Sequence, residues 1–155
     1  MNKFELIDIM ANDDKQFQAL KNYFDKRVRV IIDDYWVDFV KRFGKNSEAS
    51  PILAIYLTAD GWWIGTVTYK GERVESEHGD SEMSLLPPIS GVLETDYGYD
   101  GKDEKLNAFS PSEAVNTQIA NYIEEKLIDE LINIGYKLEK IKDNDTQKVY
   151  KVVIL

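Results

Sequence analysis

The sequence ILAIYLTADGWWIGTVTY, residues 52–69, consists of two apolar runs on either side of Ala59-Asp60-Gly61. Both runs are rich in β-branched and aromatic residues, which favour strands. The Asp-Gly pair supplies the positive-φ positions that a tight hairpin turn needs. The pattern therefore predicts a β-hairpin at the centre of a sheet.

This hairpin has apolar side chains on both faces. Every residue from 52 to 57 is apolar or aromatic, so the period-two alternation of a strand leaves no polar face there. In the second strand, Trp62 and Trp63 are adjacent and must point to opposite faces, and the sequence does not decide which of them is exposed. Both faces of such a hairpin must pack against other elements of the protein or against a partner. We expect helices on one face and consider a partner for the other.

The composition indicates one domain, residues 1–155, in a reducing compartment. A chain of 155 residues buries about two-thirds of the surface that its unfolded form exposes, so it does not need disulfides or metal ions to hold the fold. The absence of cysteine excludes disulfides and Cys-ligated zinc. The N-terminal segment contains acids where a signal peptide would be basic, and no apolar run approaches the roughly 20 residues of a membrane span. The expectation is a soluble cytoplasmic protein without membrane contact.

The net charge of −9 is concentrated in the middle of the chain. Residues 46–113 contain 13 acidic and 4 basic residues, whereas the segments before and after them are nearly balanced. Phosphate binding requires a concentrated Lys/Arg surface, so direct nucleic-acid binding is not expected. A basic protein partner would be attracted to the middle segment.

Residues 4–43 have the periodicity of helix, with Asn12 or Asp13 as the N-cap and Gly44 as the stop. An unbroken helix over 13–43 would be about 46 Å long, so we predict a break. The β-branched residues at 28–32 are the weakest helical part, and a strand over 27–32 is the alternative.

The segment after Tyr69 predicts an exposed third strand or a loop, because its alternation is mostly polar. The stretch SLLPPISG, residues 84–91, predicts an irregular connector, since proline cannot donate to a β-ladder. Residues 92–99, VLETDYGY, predict a further strand.

The C-terminal part predicts a helix followed by a hairpin. Ser110 as N-cap, Pro111 at the first helical position and Glu113 form a capping-box pattern, and Gly135 ends the apolar stripe. Residues 136–141 and 149–155 predict a terminal hairpin paired inside the sheet. The fold class is therefore α+β: a mainly antiparallel sheet of five or six strands, with an N-terminal helix pair and a helix from the C-terminal half packed on it.

No motif in the chain predicts catalysis, a metal site or a cofactor. The single histidine, His78, has no Ser or Cys nucleophile motif near it. The segment from Asp96 to Asn107 resembles a calcium loop only in part, because Gly98 and Asn107 occupy two ligand positions. Weak cation binding by Asp96, Asp100 and Asp103 is the alternative to a solvated loop.

Acidic and aromatic residues interleave in the middle segment, which is the composition of a recognition surface, where rings anchor and carboxylates orient basic groups. The alternative is a solvated acidic rim that keeps the protein soluble. The predicted partner-binding residues are Trp62, Glu72, Glu75, Glu77, Asp80, Glu82, Glu94, Asp96, Tyr97, Tyr99, Asp100, Asp103 and Glu104.

A small, acidic, cysteine-free α+β domain is similar in general character to the bacterial immunity proteins that neutralise secreted nuclease toxins. The similarity is one of composition and architecture. It implies inhibition by occlusion, in which carboxylates pair with the Lys/Arg that a nuclease uses for phosphate. Two other classes stay open: a hydrolase of carboxylate type, and a regulatory or oligomeric interaction module.

Overall fold

A computed structural model of the chain describes residues 3–43, 50–70, 73–75, 81–144 and 146–154. The architecture is α+β, as predicted. In chain order, the elements are α1 (Lys3–Met10), α2 (Asp13–Phe43), β1 (Ser50–Thr58), β2 (Gly61–Lys70), β3 (Arg73–Glu75), β4 (Ser81–Leu86), α3 (Ile89–Tyr97), α4 (Glu104–Asn107), α5 (Glu113–Ile134), β5 (Tyr136–Asn144) and β6 (Gln147–Ile154).

The predicted central hairpin is confirmed. Strands β1 and β2 pair antiparallel up to Thr58 and Gly61, which leaves Ala59 and Asp60 as a two-residue turn. The sheet order is β3-β2-β1-β6-β5, and all of its pairs are antiparallel. Strand β4 pairs with β2 along the same edge as β3. The predicted terminal hairpin is also confirmed, and β6 lies inside the sheet between β1 and β5.

The core lies between the helices and one face of the sheet. Leu53 and Ile55 of β1 and Ile64 of β2 are fully buried on this face. Phe24 of α2 and Ile123 of α5 are buried in the same cluster. Because burying each such side chain contributes roughly 1.5–3 kcal/mol, this contact provides the main stabilisation of the fold.

Helix α2 is continuous from Asp13 to Phe43, so both the predicted break and the alternative strand over 27–32 are wrong. Its start was predicted correctly, since Asn12 Oδ1 accepts a hydrogen bond from the Lys15 backbone N–H at 3.2 Å. The helix contacts α5, α3 and β4. This tertiary packing outweighs the weak helical propensity of the β-branched run.

The predicted strand over 92–99 is also wrong, because most of this stretch belongs to α3. Ile89, Val92 and Leu93 are buried at helical spacing, and a strand would have put Val92 and Leu93 on opposite faces. The helix ends at Gly98, whose φ of 69° allows the left-handed C-cap. The predicted connector over 84–91 is therefore the end of β4, the pair Pro87-Pro88 and the start of α3.

The second long helix begins two residues later than predicted. Ser112, not Ser110, is the N-cap of α5, and its Oγ accepts from the Val115 N–H at 3.3 Å. The same Oγ donates to Asp13 Oδ2 at 3.0 Å, which connects the starts of α5 and α2. The predicted end at Gly135 is confirmed, since this residue has φ 109° and forms the C-cap.

We expect Ser112→Ala to lower the free energy of unfolding by about 1 kcal/mol, because the first turn of α5 loses its side-chain acceptor. Ser110→Ala is the matched control and should have little effect, since Ser110 is exposed and lies outside the helix. Urea denaturation of both variants measures the difference. Equal losses would contradict the position of the cap.

Candidate functional site

The loop between α3 and the end of α4, residues 98–107, is held by hydrogen bonds around one tyrosine. The Tyr99 hydroxyl accepts from the Asp103 N–H at 2.7 Å and lies 2.9 Å from Asn107 Oδ1, to which it donates. The Asn107 amide then donates to the Gly101 carbonyl at 2.9 Å. These contacts connect both ends of the loop, so its carboxylates are presented in a defined geometry.

Three acidic side chains of this loop are exposed beside a groove of about 840 Å³. Asp100 Oδ1 accepts from the Lys102 N–H at 3.0 Å, and Asp103 Oδ1 accepts from the Lys105 and Leu106 N–H groups at 2.9 and 3.2 Å. Glu104 is exposed in the first turn of α4. The lining residues are Leu6, Gly98, Tyr99, Asp100, Lys102, Asp103, Glu104 and Lys105.

Four of the predicted partner-binding residues therefore meet at this groove, namely Tyr99, Asp100, Asp103 and Glu104. Tyr99 is buried, so it supports the loop from within and does not serve as an exposed anchor. Two lysines line the groove beside the three carboxylates. The groove is therefore suited to bind a basic group at specific positions, and it is not a uniformly acidic surface.

Asp96 does not belong to this exposed set. Its side chain is only 8% exposed and faces α2, where Arg27 Nη2 lies 3.2 Å and Lys26 Nζ 3.5 Å from its carboxylate oxygens. The Arg27 guanidinium also stacks on the Tyr23 ring at 3.6 Å. The prediction that Asp96 contacts a partner is wrong for this reason: its charge is used to join α3 to α2.

The remaining predicted partner-binding residues do not line the groove at 98–107 or lie outside the described residues. Trp62 is 3% exposed and packs in the core, which answers the question that the sequence left open, since Trp63 is the partly exposed member of the pair. Glu94 is exposed and Tyr97 is partly buried. Glu75 lies in β3 and Glu82 in β4. The predictions for Glu72, Glu77, His78 and Asp80 lie outside the described residues.

A second polar cluster, which the sequence analysis missed, joins α5 to the β5–β6 hairpin. The Lys148 side chain is 5% exposed, and its Nζ lies 2.5 Å from Asp143 Oδ1 and 3.8 Å from Glu124 Oε2. Lys140 Nζ lies 2.9 Å from Asp143 Oδ2 and 3.2 Å from Glu124 Oε2. The Tyr150 hydroxyl donates to Glu124, and burial with this contact raises the pKa of Tyr150. A signal in the sequence was the position of Lys148 opposite Asp143 across the β5–β6 hairpin.

The pKa of Asp143 is lowered, chiefly by the hydrogen bond from Lys148. A carboxyl whose pKa is lower in the folded state stabilises the fold above its ordinary pKa of about 4, and this contribution is lost as the pH falls. We expect Asp143→Asn to reduce the free energy of unfolding at pH 7 by on the order of 1 kcal/mol, since the pair is partly solvent-screened. The difference from the unchanged protein should shrink below about pH 4. Urea midpoints at a series of pH values measure it, and a difference that does not change with pH would contradict the assignment.

Comparison of the chain with protein-family models, curated proteins and solved structures gives no match. The geometry is therefore the basis for any functional conclusion.

The described part of the chain holds no group of converging metal ligands. Within residues 3–43, 50–70, 73–75, 81–144 and 146–154, no three His, Cys, Asp or Glu side chains converge as metal ligands. Asp96 and Asp103, two of the residues considered for weak cation binding, are used for the contact with α2 and for the cap of α4.

No helix in the described ranges combines the length of a membrane span with sufficient apolar character.

Proposed function

We propose that this chain is a protein-binding domain that recognises basic side chains of a partner at the groove beside residues 98–107. The supporting observation is that Tyr99, Asp100, Asp103 and Glu104 meet at one groove in a loop held by its own hydrogen bonds. A preorganised loop loses less conformational entropy on binding than a flexible one. The same contacts therefore give higher affinity.

The exposed carboxylates of Asp100 and Glu104 are the acceptors for a Lys or Arg side chain, since charge-assisted hydrogen bonds are the strongest available to them. Lys102 and Lys105 repel a basic group from the neighbouring positions, which adds specificity by excluding wrongly placed partners. The net charge of −9 acts over a longer range and raises the association rate with a basic protein.

Within this class, we propose an inhibitor of the immunity-protein type that acts by occlusion. A nuclease-type toxin binds phosphate through Lys and Arg. A small acidic domain that binds these residues blocks substrate access without chemistry of its own. The partner need only offer a basic side chain that reaches into the groove.

The test is affinity capture of the tagged protein from its native host, followed by calorimetric titration of the purified partner. Asp100→Asn with Glu104→Gln removes two charges, and the asparagine keeps an oxygen that can accept from Lys102 N–H. Glu125→Gln with Asp129→Gln is the matched control, because both residues are exposed on α5.

We expect the groove variant to raise Kd about tenfold and to reduce the salt dependence of binding, with a much smaller effect of the control. Equal effects of the two variants would show that only net charge matters. No effect of either would place the binding surface elsewhere on the chain.

A further inference from the structure

One wall of the groove beside residues 98–107 comes from the N-terminal helix. Leu6 of α1 lines this groove, is partly buried and packs against the hydrophobic core. Gly98 lines the groove without a side chain, and nothing lies within 4 Å of the position that its Cβ would take. The groove therefore combines an apolar wall and open space with the carboxylates of Asp100 and Glu104.

The position of α1 is fixed by a buried glutamine in the first turn of α2. Gln16 is 2% exposed, and its Nε2 donates to the carbonyl oxygens of Ile9 and Met10 at 3.0 and 2.9 Å. These carbonyls belong to the last turn of α1, where the C=O groups have no partner within the helix. The ion pair of Lys15 with Asp8 also joins the two helices, but both side chains are about half exposed, so it contributes little. Gln16 therefore holds the helix that forms the apolar wall.

We propose that Leu6 is a specificity-determining residue of this groove and that Gln16 is its positioning residue. This role rests on the proposed function, in which the carboxylates bind the cationic end of a partner side chain. Lysine and arginine also have an aliphatic stem, and such stems pack along apolar surface while the charged end stays in polar surroundings. Leu6 offers that surface in the groove that contains the carboxylates. The groove therefore selects a long side chain with an apolar stem over a short cationic group of the same charge.

The expected discrimination follows from the burial of methylene groups. The side chain of 2,4-diaminobutyric acid has the same ammonium group as lysine but is two methylenes shorter. Complete burial of two methylenes would favour lysine about fifteenfold. Because Leu6 covers the stem from one side only, we expect a preference of about fivefold.

The test is a titration of the full chain with two capped tripeptides, acetyl-Gly-Lys-Gly-amide and its diaminobutyric acid analogue. NMR chemical shifts of the backbone amides of residues 98–107 give the Kd of each peptide at this groove, at about pH 6, where both amines are charged. The ratio of the two Kd values is the readout. Partial unfolding of a variant weakens both peptides by the same factor and leaves this ratio unchanged.

Leu6→Ala should reduce the ratio to about one and leave the Kd of the short peptide nearly unchanged. Ile7→Ala is the matched control and should keep the ratio, because Ile7 is 52% exposed on the same helix and is not among the residues that line the groove. Gln16→Met keeps the size of the side chain but loses both hydrogen bonds, so it should also lower the ratio. Gln18→Met is its control, since Gln18 is exposed and donates to Asn22 within α2.

The outcomes separate this role of Leu6 from the proposed function. If neither peptide shifts the signals of residues 98–107, the groove does not bind basic side chains, and both proposals are wrong. If the two peptides bind there with equal Kd, the groove binds cations without selecting the stem, and only the role of Leu6 is overturned. A ratio that Leu6→Ala leaves unchanged would overturn it as well. If Leu6→Ala lowers the ratio and Gln16→Met does not, Gln16 is not the positioning residue.

Discussion

Deletion of residues 149–155 is expected to abolish folding. These residues form most of β6, which lies between β1 and β5, so their loss separates β5 from the rest of the sheet. Tyr150 and Val152 are buried in the core. Each buried side chain contributes roughly 1.5–3 kcal/mol, and a typical domain has a total stability of about 5–15 kcal/mol. The deletion also exposes the unpaired backbone groups of two strands.

The measurement is urea denaturation of the truncated chain, for which we expect no cooperative transition. A matched pair of point variants separates core packing from chain length. Val152→Thr adds a hydroxyl to a fully buried site and should cost about 1–3 kcal/mol. Val153→Thr, at the partly exposed neighbouring position, should change stability by only about 0.5 kcal/mol. A cooperative transition in the truncated chain would contradict the place of β6 in the sheet.

Gly61→Ala is expected to be the most damaging single substitution of a small residue. Gly61 has a backbone φ of 101°, which residues with a side chain rarely adopt. An added Cβ would also lie 2.8 Å from the Pro87 carbonyl carbon and closer still to the Leu86 carbonyl oxygen. Both are backbone atoms and cannot rotate away. The backbone strain and the overpacking together should cost about 3–5 kcal/mol.

Gly98→Ala is the control for the backbone conformation alone. Gly98 has φ 69°, but no atom lies within 4 Å of an added Cβ. Gly98→Ala should therefore lower the free energy of unfolding by about 1–2 kcal/mol. Urea midpoints of the two variants give the comparison. If Gly61→Ala costs no more than Gly98→Ala, the approach of Pro87 to the turn of the central hairpin is not as described.

The candidate site was predictable only where its members are close in the sequence. Tyr99, Asp100, Asp103 and Glu104 lie within six residues, so a turn around a buried tyrosine brings them together. In the sequence, Asp96 looks equivalent to these residues, because it is an acidic residue in the same acidic segment. Its different role depends on Arg27, which is 69 residues away in the chain, and no local pattern contains that information.

The cluster around Lys148 was missed because Glu124, one of its two acids, comes from α5 and not from the terminal hairpin. Asp143 is a local partner, since it is five residues from Lys148 and pairs with it across the β5–β6 hairpin, whereas Glu124 is brought to the buried ammonium group by α5. Burial of a charge requires such compensation. The compensating groups become visible only when three elements are placed together.

The sequence by itself determined the central hairpin, the helix that ends at Gly135 and the terminal hairpin, because alternation, helical spacing and glycine stops act over a few residues. The tertiary structure alone decided that α2 is unbroken, that 92–97 is helix and that Trp62 is buried while Trp63 is partly exposed. In these cases two local conformations are close in free energy, and the larger burial of apolar surface in one of them selects it.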